Sequence, residues 1–164
     1  VKEALEACRN RVFSMSLVHE KFFVQNNPTG INFKQYATAL VNEISLTFGD
    51  KEQTILAINS DEFDLEITQA IPCGLIINEL ITNSFKHADT GDNKLKIEIQ
   101  LKKNKDTIFI IVKDNGRGFD PEKARGNRSM GLDLIHSLCE QIDGNCSFNN
   151  KDGMEFTISF NYKN

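Results

Sequence analysis

"IINELITNSFKHA", residues 76–88, is the stretch on which the fold turns. At 3.6 residues per turn, Glu79, Asn83, Lys86 and His87 share a narrow arc, while Ile77, Ile81, Phe85 and Ala88 point the other way. The preceding "QAIPCGLII", residues 69–77, is apolar all round, which predicts a helix over roughly residues 68–88 that begins deep in a core. Polar side chains on so deep a helix line a cavity more often than open water.

Downstream, "LKIEIQL" (95–101) alternates apolar and polar residues without a fault, and "TIFIIV" (107–112) is a β-branched run. With "KKNKD" between them they predict a hairpin. A glycine-punctuated loop, "KDNGRGFDPEKARGNRSMG" (113–131), leads into a helix, "LDLIHSLCEQI" (132–142), stopped by Gly144. "CSFN" (146–149) and "MEFTISF" (154–160) predict a second hairpin, with Phe156, Ile158 and Phe160 on one face. Upstream, Asn32 is placed to cap a helix from Phe33 to Phe48 closed by Gly49, and "QTILAIN" (53–59) reads as a strand. The expected fold is α+β: a two-layer sandwich whose sheet is mixed but mostly antiparallel, with helices on one face.

Residues 1–23 carry a different pattern. Val1, Leu5, Cys8, Val12, Met15, His19 and Phe22 recur at alternating steps of four and three, the signature of a bundle helix that needs a partner helix. "QNNPTG" (25–30) then breaks the periodicity, so the boundary is expected at residues 27–28: a bundle helix over 1–27 and the sandwich over 28–164.

Composition narrows the partners. A net charge of −4 and a pI near 5.4 leave no basic field for nucleic acid. No apolar run reaches the ~18 residues that span a bilayer, so no membrane contact by this stretch is expected. Cys8, Cys73, Cys139 and Cys146 form no C-x-x-C pair and sit among apolar neighbours, as reduced core thiols of a cytoplasmic protein would. The histidines at 19, 87 and 136 have no second ligand at zinc spacing.

Three motifs carry chemistry. In "DNGRGFD" (114–120), Asp114 stands where the chain leaves a buried strand, and Gly116 and Gly118 let the backbone approach a flat ligand. An ionised carboxylate there can accept from an exocyclic amine; the plainer reading is an Asn-Gly turn. Gly126 and Gly131, at the entrance to the next helix with Arg125 and Arg128 nearby, suit phosphates at a helix N-terminus, or else form a solvated loop. On the opening helix, Asn83 offers a hard neutral oxygen for Mg²⁺, Glu79 a proton acceptor, and Lys86 and His87 contacts for phosphates.

Taken in order, "NELITNSFKHA", "DNGRGFD" and "GNRSMGLDLI" resemble the N, G1 and G2 boxes of the ATP-binding domain shared by sensor histidine kinases, type II topoisomerases, heat-shock-90 chaperones and mismatch-repair proteins. The short domain and lid resemble the histidine kinases, and "RVFSMSLVHEKFF" (11–23) resembles the second dimerisation helix of one of their subfamilies. The resemblance implies that Asp114 binds the adenine amine above Gly116 and Gly118. It makes Asn83 the Mg²⁺ ligand, Glu79 the acidic residue that polarises the attacking group, and Lys86 and His87 contacts to phosphate or ribose. The amides from Ser129 through Met130 and Gly131 to Leu132 would cradle phosphates, with Phe119 and Arg128 also on the nucleotide.

Two departures bear on affinity and lid motion. Gly153 is followed by Met154 where the family usually has threonine, and the lid has Asn127 and Ser129 where more glycine is expected. The resemblance also implies a homodimer through the first helix, a response-regulator receiver domain as partner, and a full-length protein that can be membrane-anchored. His19 falls in the apolar stripe, so the phosphoacceptor is expected upstream of these 164 residues. The alternatives are a serine kinase of the anti-sigma type and a degenerate nucleotide-sensing scaffold.

Overall fold

The computed structural model describes residues 5, 8–9, 11–13, 15–17, 20, 30–48, 53–88, 90–91, 93–118, 130–150 and 153–162. Residues 5, 8–9, 11–13, 15–17 and 20 are helical. Then follow β1 (Ile31–Asn32), α1 (Phe33–Phe48), β2 (Thr54–Ser60), β3 (Asp64–Leu65), α2 (Ile67–His87), β4 (Leu95–Asn104), β5 (Thr107–Asp114), α3 (Met130–Gln141), β6 (Asn145–Asn149) and β7 (Glu155–Asn161).

Five strands form one sheet in the order β2-β4-β5-β7-β6, with β2 parallel to β4 and every other pair antiparallel. The mixed, mostly antiparallel sheet matches the expectation from sequence. Strict alternation buries one face: Ile97, Ile99 and Leu101 on β4, Ile108, Ile110 and Val112 on β5, and Phe156, Ile158 and Phe160 on β7. Asp114 is the next inward position after Val112, paired in register with Ile97, so the pleat itself carries a carboxylate into the core face.

α1 starts as the sequence proposes, with Gln35 N donating to Asn32 Oδ1 at 2.9 Å. Its Phe33, Tyr36, Leu40, Val41 and Ile44 are buried against α2 and the sheet. α2 runs 21 residues through Pro72, and nearly every side chain from Pro72 to Ser84 is buried. No described helix is long and apolar enough to cross a membrane.

Four details differ from the sequence reading. β4 continues through Lys102–Asn104, so the β4–β5 connection is a tight turn with Lys105 at φ 52 instead of a five-residue loop. The short antiparallel pair β1–β3 ties the entrance of α1 to that of α2 and was not expected. At the end of α3, Asp143 takes the left-handed conformation (φ 52) while Gly144 N closes the helix on Cys139 O at 2.8 Å. Finally, Cys8 is exposed and Cys146 half-buried, whereas Cys73 and Cys139 alone are core thiols. The reason is local: Leu5, Cys8, Val12 and Met15, the described members of the first helix's apolar stripe, all face outward in the single chain. Val1, His19 and Phe22 of that stripe, and Gly49, lie outside the described residues.

Candidate functional site

The site is assembled where α2 passes the end of β5 and the start of α3. Asp114 is only 8% exposed, and neutral donors hold both of its oxygens. Ser84 Oγ donates to Oδ2 at 2.6 Å, and Gly116 N donates to Oδ1 at 3.0 Å. A longer contact of 3.4 Å brings Met154 N to Oδ1. Among the described residues no cation pairs with it.

The neighbouring turn is shaped by glycine. Gly153 sits at φ +108, and a Cβ there would lie 2.0 Å from the Asp114 carbonyl oxygen. Only a residue without a side chain lets the β6–β7 turn close on Asp114, which fixes Met154 beside it: Asp114 N donates to Met154 O at 2.9 Å. At position 154 this chain therefore presents a backbone N–H and a buried thioether beside Asp114. Gly118 also takes positive φ, +78, as the chain turns away from the sheet.

On α2, Glu79 is 7% exposed and Asn83 half-buried. α3 begins at Met130, and its second residue, Gly131, lies directly against both: a Cβ at Gly131 would be 3.1 Å from Glu79 Oε2 and 3.7 Å from Asn83 Nδ2. The first turn of α3, Met130, Gly131 and Leu132, whose N–H groups have no partner within the helix itself, thus adjoins the polar face of α2. Leu132 also packs partly on the core. Lys86 and His87 are exposed, and the Lys86 ammonium lies 5.8 Å from the Phe48 ring centroid, over the end of α1. Phe119, Arg125, Gly126, Asn127, Arg128 and Ser129 lie outside the described residues. The structure therefore joins Asp114, Gly116, Glu79, Asn83 and Gly131 around one stretch of α2 and leaves Lys86 and His87 at its solvent end.

Two contacts were missed from sequence. One is Ser84, which the helical pattern counts as ordinary core. The other is Arg11 of the first helix, whose Nε donates to Glu79 Oε1 at 2.7 Å. This pair raises the guanidinium pKa, chiefly through the hydrogen bond to Glu79. Arg11 stands outside the apolar stripe, so nothing in the sequence marked it. A cavity of about 250 Å³ lined by Arg9, Phe13, Glu43, Ile44, Thr47 and Asn78 contains none of the candidate residues.

Residues 68–164, more than half of the chain, match the family model for histidine kinase-, DNA gyrase B- and HSP90-like ATPases. The chain belongs to that ATPase family. Residues 1–48 match a second family model, that of a histidine kinase segment, HisKA_2. Among curated relatives, the chain is similar to the signal transduction histidine-protein kinase/phosphatase DegS of Bacillus subtilis (strain 168), 30% identical over 81 residues, 48% of this chain and 20% of that one. It is also similar to the sensor histidine kinase YdfH of the same organism, 36% identical over 81 residues, 49% of this chain and 19% of that one. This chain thus spans about a fifth of the curated relatives it matches.

Solved histidine kinases share the fold. The histidine kinase domain from the Erythrobacter litoralis EL346 blue-light activated histidine kinase aligns with a TM-score of 0.84 at 16% identity, covering 94% of this chain and 74% of that one. Acinetobacter baumannii AdeS aligns with a TM-score of 0.67 at 17% identity, covering 99% and 80%. At such identities the likeness speaks for architecture, and the family matches speak for the ATPase.

Proposed function

We propose that this chain binds Mg²⁺-ATP between α2 and the turn after β5 and supplies the catalytic region of a sensor histidine kinase. The observation that carries this is Asp114: a carboxylate on the core face of a sheet, held by neutral donors, keeps an acceptor position beside α2 that no described residue fills. Packing alone gives no reason to put an anion there. An exocyclic amine is the complement it calls for, as in adenine.

At the other end of the site, the start of α3 offers backbone N–H groups to phosphates, and in this reading Phe119, Arg128 and Ser129 also contact the nucleotide. Asn83 would hold the Mg²⁺ that arrives on the phosphates, which neutralises charge there when bound; its amide oxygen on a half-buried helix face suits a metal that keeps most of its ligands as water and phosphate. Among the described residues no cluster of His, Cys, Asp or Glu forms an all-protein cage, which fits that division of labour. Lys86 and His87 stand one turn further on, within side-chain reach of phosphate or ribose.

In the transfer, an imidazole nitrogen from a histidine on a preceding helix attacks the γ-phosphorus in line. The bond to the β–γ bridging oxygen breaks and ADP leaves. Glu79 Oε2, the oxygen on the Gly131 side, takes the imidazole proton. The phosphoryl group then passes to an aspartate of a response-regulator receiver domain. Residues 1–27 act as part of a dimerisation bundle, 28–164 as the ATP-binding domain, and the chain works in the cytoplasm.

The test is a melting shift. Mg²⁺-ATP at about 100 times its dissociation constant adds about 2.7 kcal/mol to the stability of this chain, and Asp114→Asn removes most of that gain. Equal shifts in the two proteins would remove Asp114 from the site.

A further inference from the structure

Ser84 has one hydroxyl proton and two acceptors within reach. Leu80 O, one turn back on the same helix, lies at 3.2 Å, and Asp114 Oδ2, across the gap to β5, at 2.6 Å. The shorter distance is that of a charge-assisted O–H···O⁻ bond and the longer that of a secondary contact, so the proton belongs to the Asp114 bond. Ser84 is 2% exposed, and Leu80 O restrains its rotamer from behind. The donor thus comes from the buried side of the last turn of α2 and not from an exposed surface group.

The consequence lies in what remains of the carboxylate. Oδ1 faces the Gly116 and Met154 amides, and Oδ2 has one lone pair filled by the serine proton. The second lone pair of Oδ2 is then an acceptor of fixed direction. A base with an amino group at that point donates to it. A base with a carbonyl oxygen there sets two acceptors against each other in a buried site, a mismatch that a protonated or rotated carboxyl would relieve. The serine bond works against both escapes, because its proton already occupies Oδ2 and it holds the carboxyl group in one rotamer.

We propose that Ser84 is a positioning residue that sets the nucleobase specificity of this site, by fixing Asp114 Oδ2 as an acceptor selective for 6-aminopurine nucleotides over 6-oxopurine nucleotides. This rests on the assignment of Asp114 to the adenine amine and adds to it the group that makes the selection sharp.

The experiment is a comparison of Mg²⁺-ATP with Mg²⁺-ITP, which carries an oxygen in place of the amine, by calorimetric titration of the wild-type chain, Ser84→Ala, Ser84→Cys and Asp114→Asn. Wild type prefers ATP. Ser84→Ala is expected to lose about tenfold of that preference, the order of one hydrogen bond to a charged group, mainly through weaker ATP binding. Ser84→Cys keeps the shape with a weaker donor and falls between the two, so it carries the comparison if the alanine variant melts early. A general loosening of the helix would weaken both nucleotides alike; parallel losses, or an unchanged ratio in both Ser84 variants, overturn the proposal. In that event a lost ATP preference in Asp114→Asn shows that the adenine assignment survives without it. An Asp114→Asn chain that still prefers ATP overturns the adenine assignment and the proposal together.

Discussion

Asp114 and Glu79 are carboxylates of nearly equal burial, 8% and 7% exposed, at two corners of the same site, but their partners come from different parts of the chain. Asp114 is held by Ser84 of α2, by the amide of Gly116 and by the Gly153–Met154 turn, all within the ATPase sandwich. Glu79 is held by Arg11, which belongs to the N-terminal helix. Whenever the sandwich folds, the first corner is complete. The second is in this state only while the N-terminal helix lies against α2, and movement of that helix frees Glu79 Oε1. The group proposed to recognise the base is thus held from within the core, and the group proposed to handle the proton is held from the N-terminal helix.

The strongest challenge to this contrast is Gly153→Ala. Its new methyl would meet the Asp114 carbonyl oxygen in a backbone conformation that L-residues rarely adopt. A loss of about 3 kcal/mol or more in urea unfolding is expected, together with ATP binding. Wild-type stability in this variant would show that the Asp114 corner is softer than its contacts suggest.

Raising the pH acts next, and on the sandwich alone. Burial pushes the Cys139 thiol up to about 12 and Cys73 higher still, with the neighbouring thiol of Cys146 adding to the shift of Cys139. The folded state therefore keeps protons that the unfolded chain releases above about 9, so stability is full below that pH and falls as the pH rises towards 12. At pH 10 the loss is about 1 kcal/mol for each thiol, and Cys139→Ala should flatten the slope measured by thermal melts at stepped pH. The Arg11 guanidinium keeps its charge throughout this range, so the Glu79 pair is not what the titration reports.

The smallest effect belongs to Arg11→Ala. The pair is only partly buried, with the Arg11 side chain 27% exposed, and its loss should cost about 1 kcal/mol. It should appear as faster hydrogen exchange at residues 11–17, with the ATP-induced melting shift unchanged. A reduced ATP shift would mean that the two corners are coupled, which would blur the distinction between them.

Much of this was legible because periodicity is a local signal. The alternation in "LKIEIQL" and "MEFTISF", the cap at Asn32 and the polar arc of α2 each need only a few consecutive residues to be read. The β1–β3 pair could not be read that way, since two residues in each strand carry no pattern and their pairing spans more than thirty positions. The lengths of β4 and its turn were misjudged because exposed lysines at a strand end resemble a loop. Helical angle grouped Lys86 with Glu79 and Asn83 but could not show that the helix emerges from the core over that interval, which leaves Lys86 exposed with its ammonium 5.8 Å from the Phe48 ring centroid.

From sequence alone came the alternating strands, the amphipathic helix and the two glycine-marked motifs, because hydrophobic period and backbone permissiveness are properties of neighbouring residues. Tertiary structure alone decided which groups hold the two carboxylates. Ser84 and Asp114 are thirty residues apart and Arg11 and Glu79 sixty-eight, and a hydrogen bond across such a separation exists only once the packing of the sheet and helices has fixed where each side chain ends.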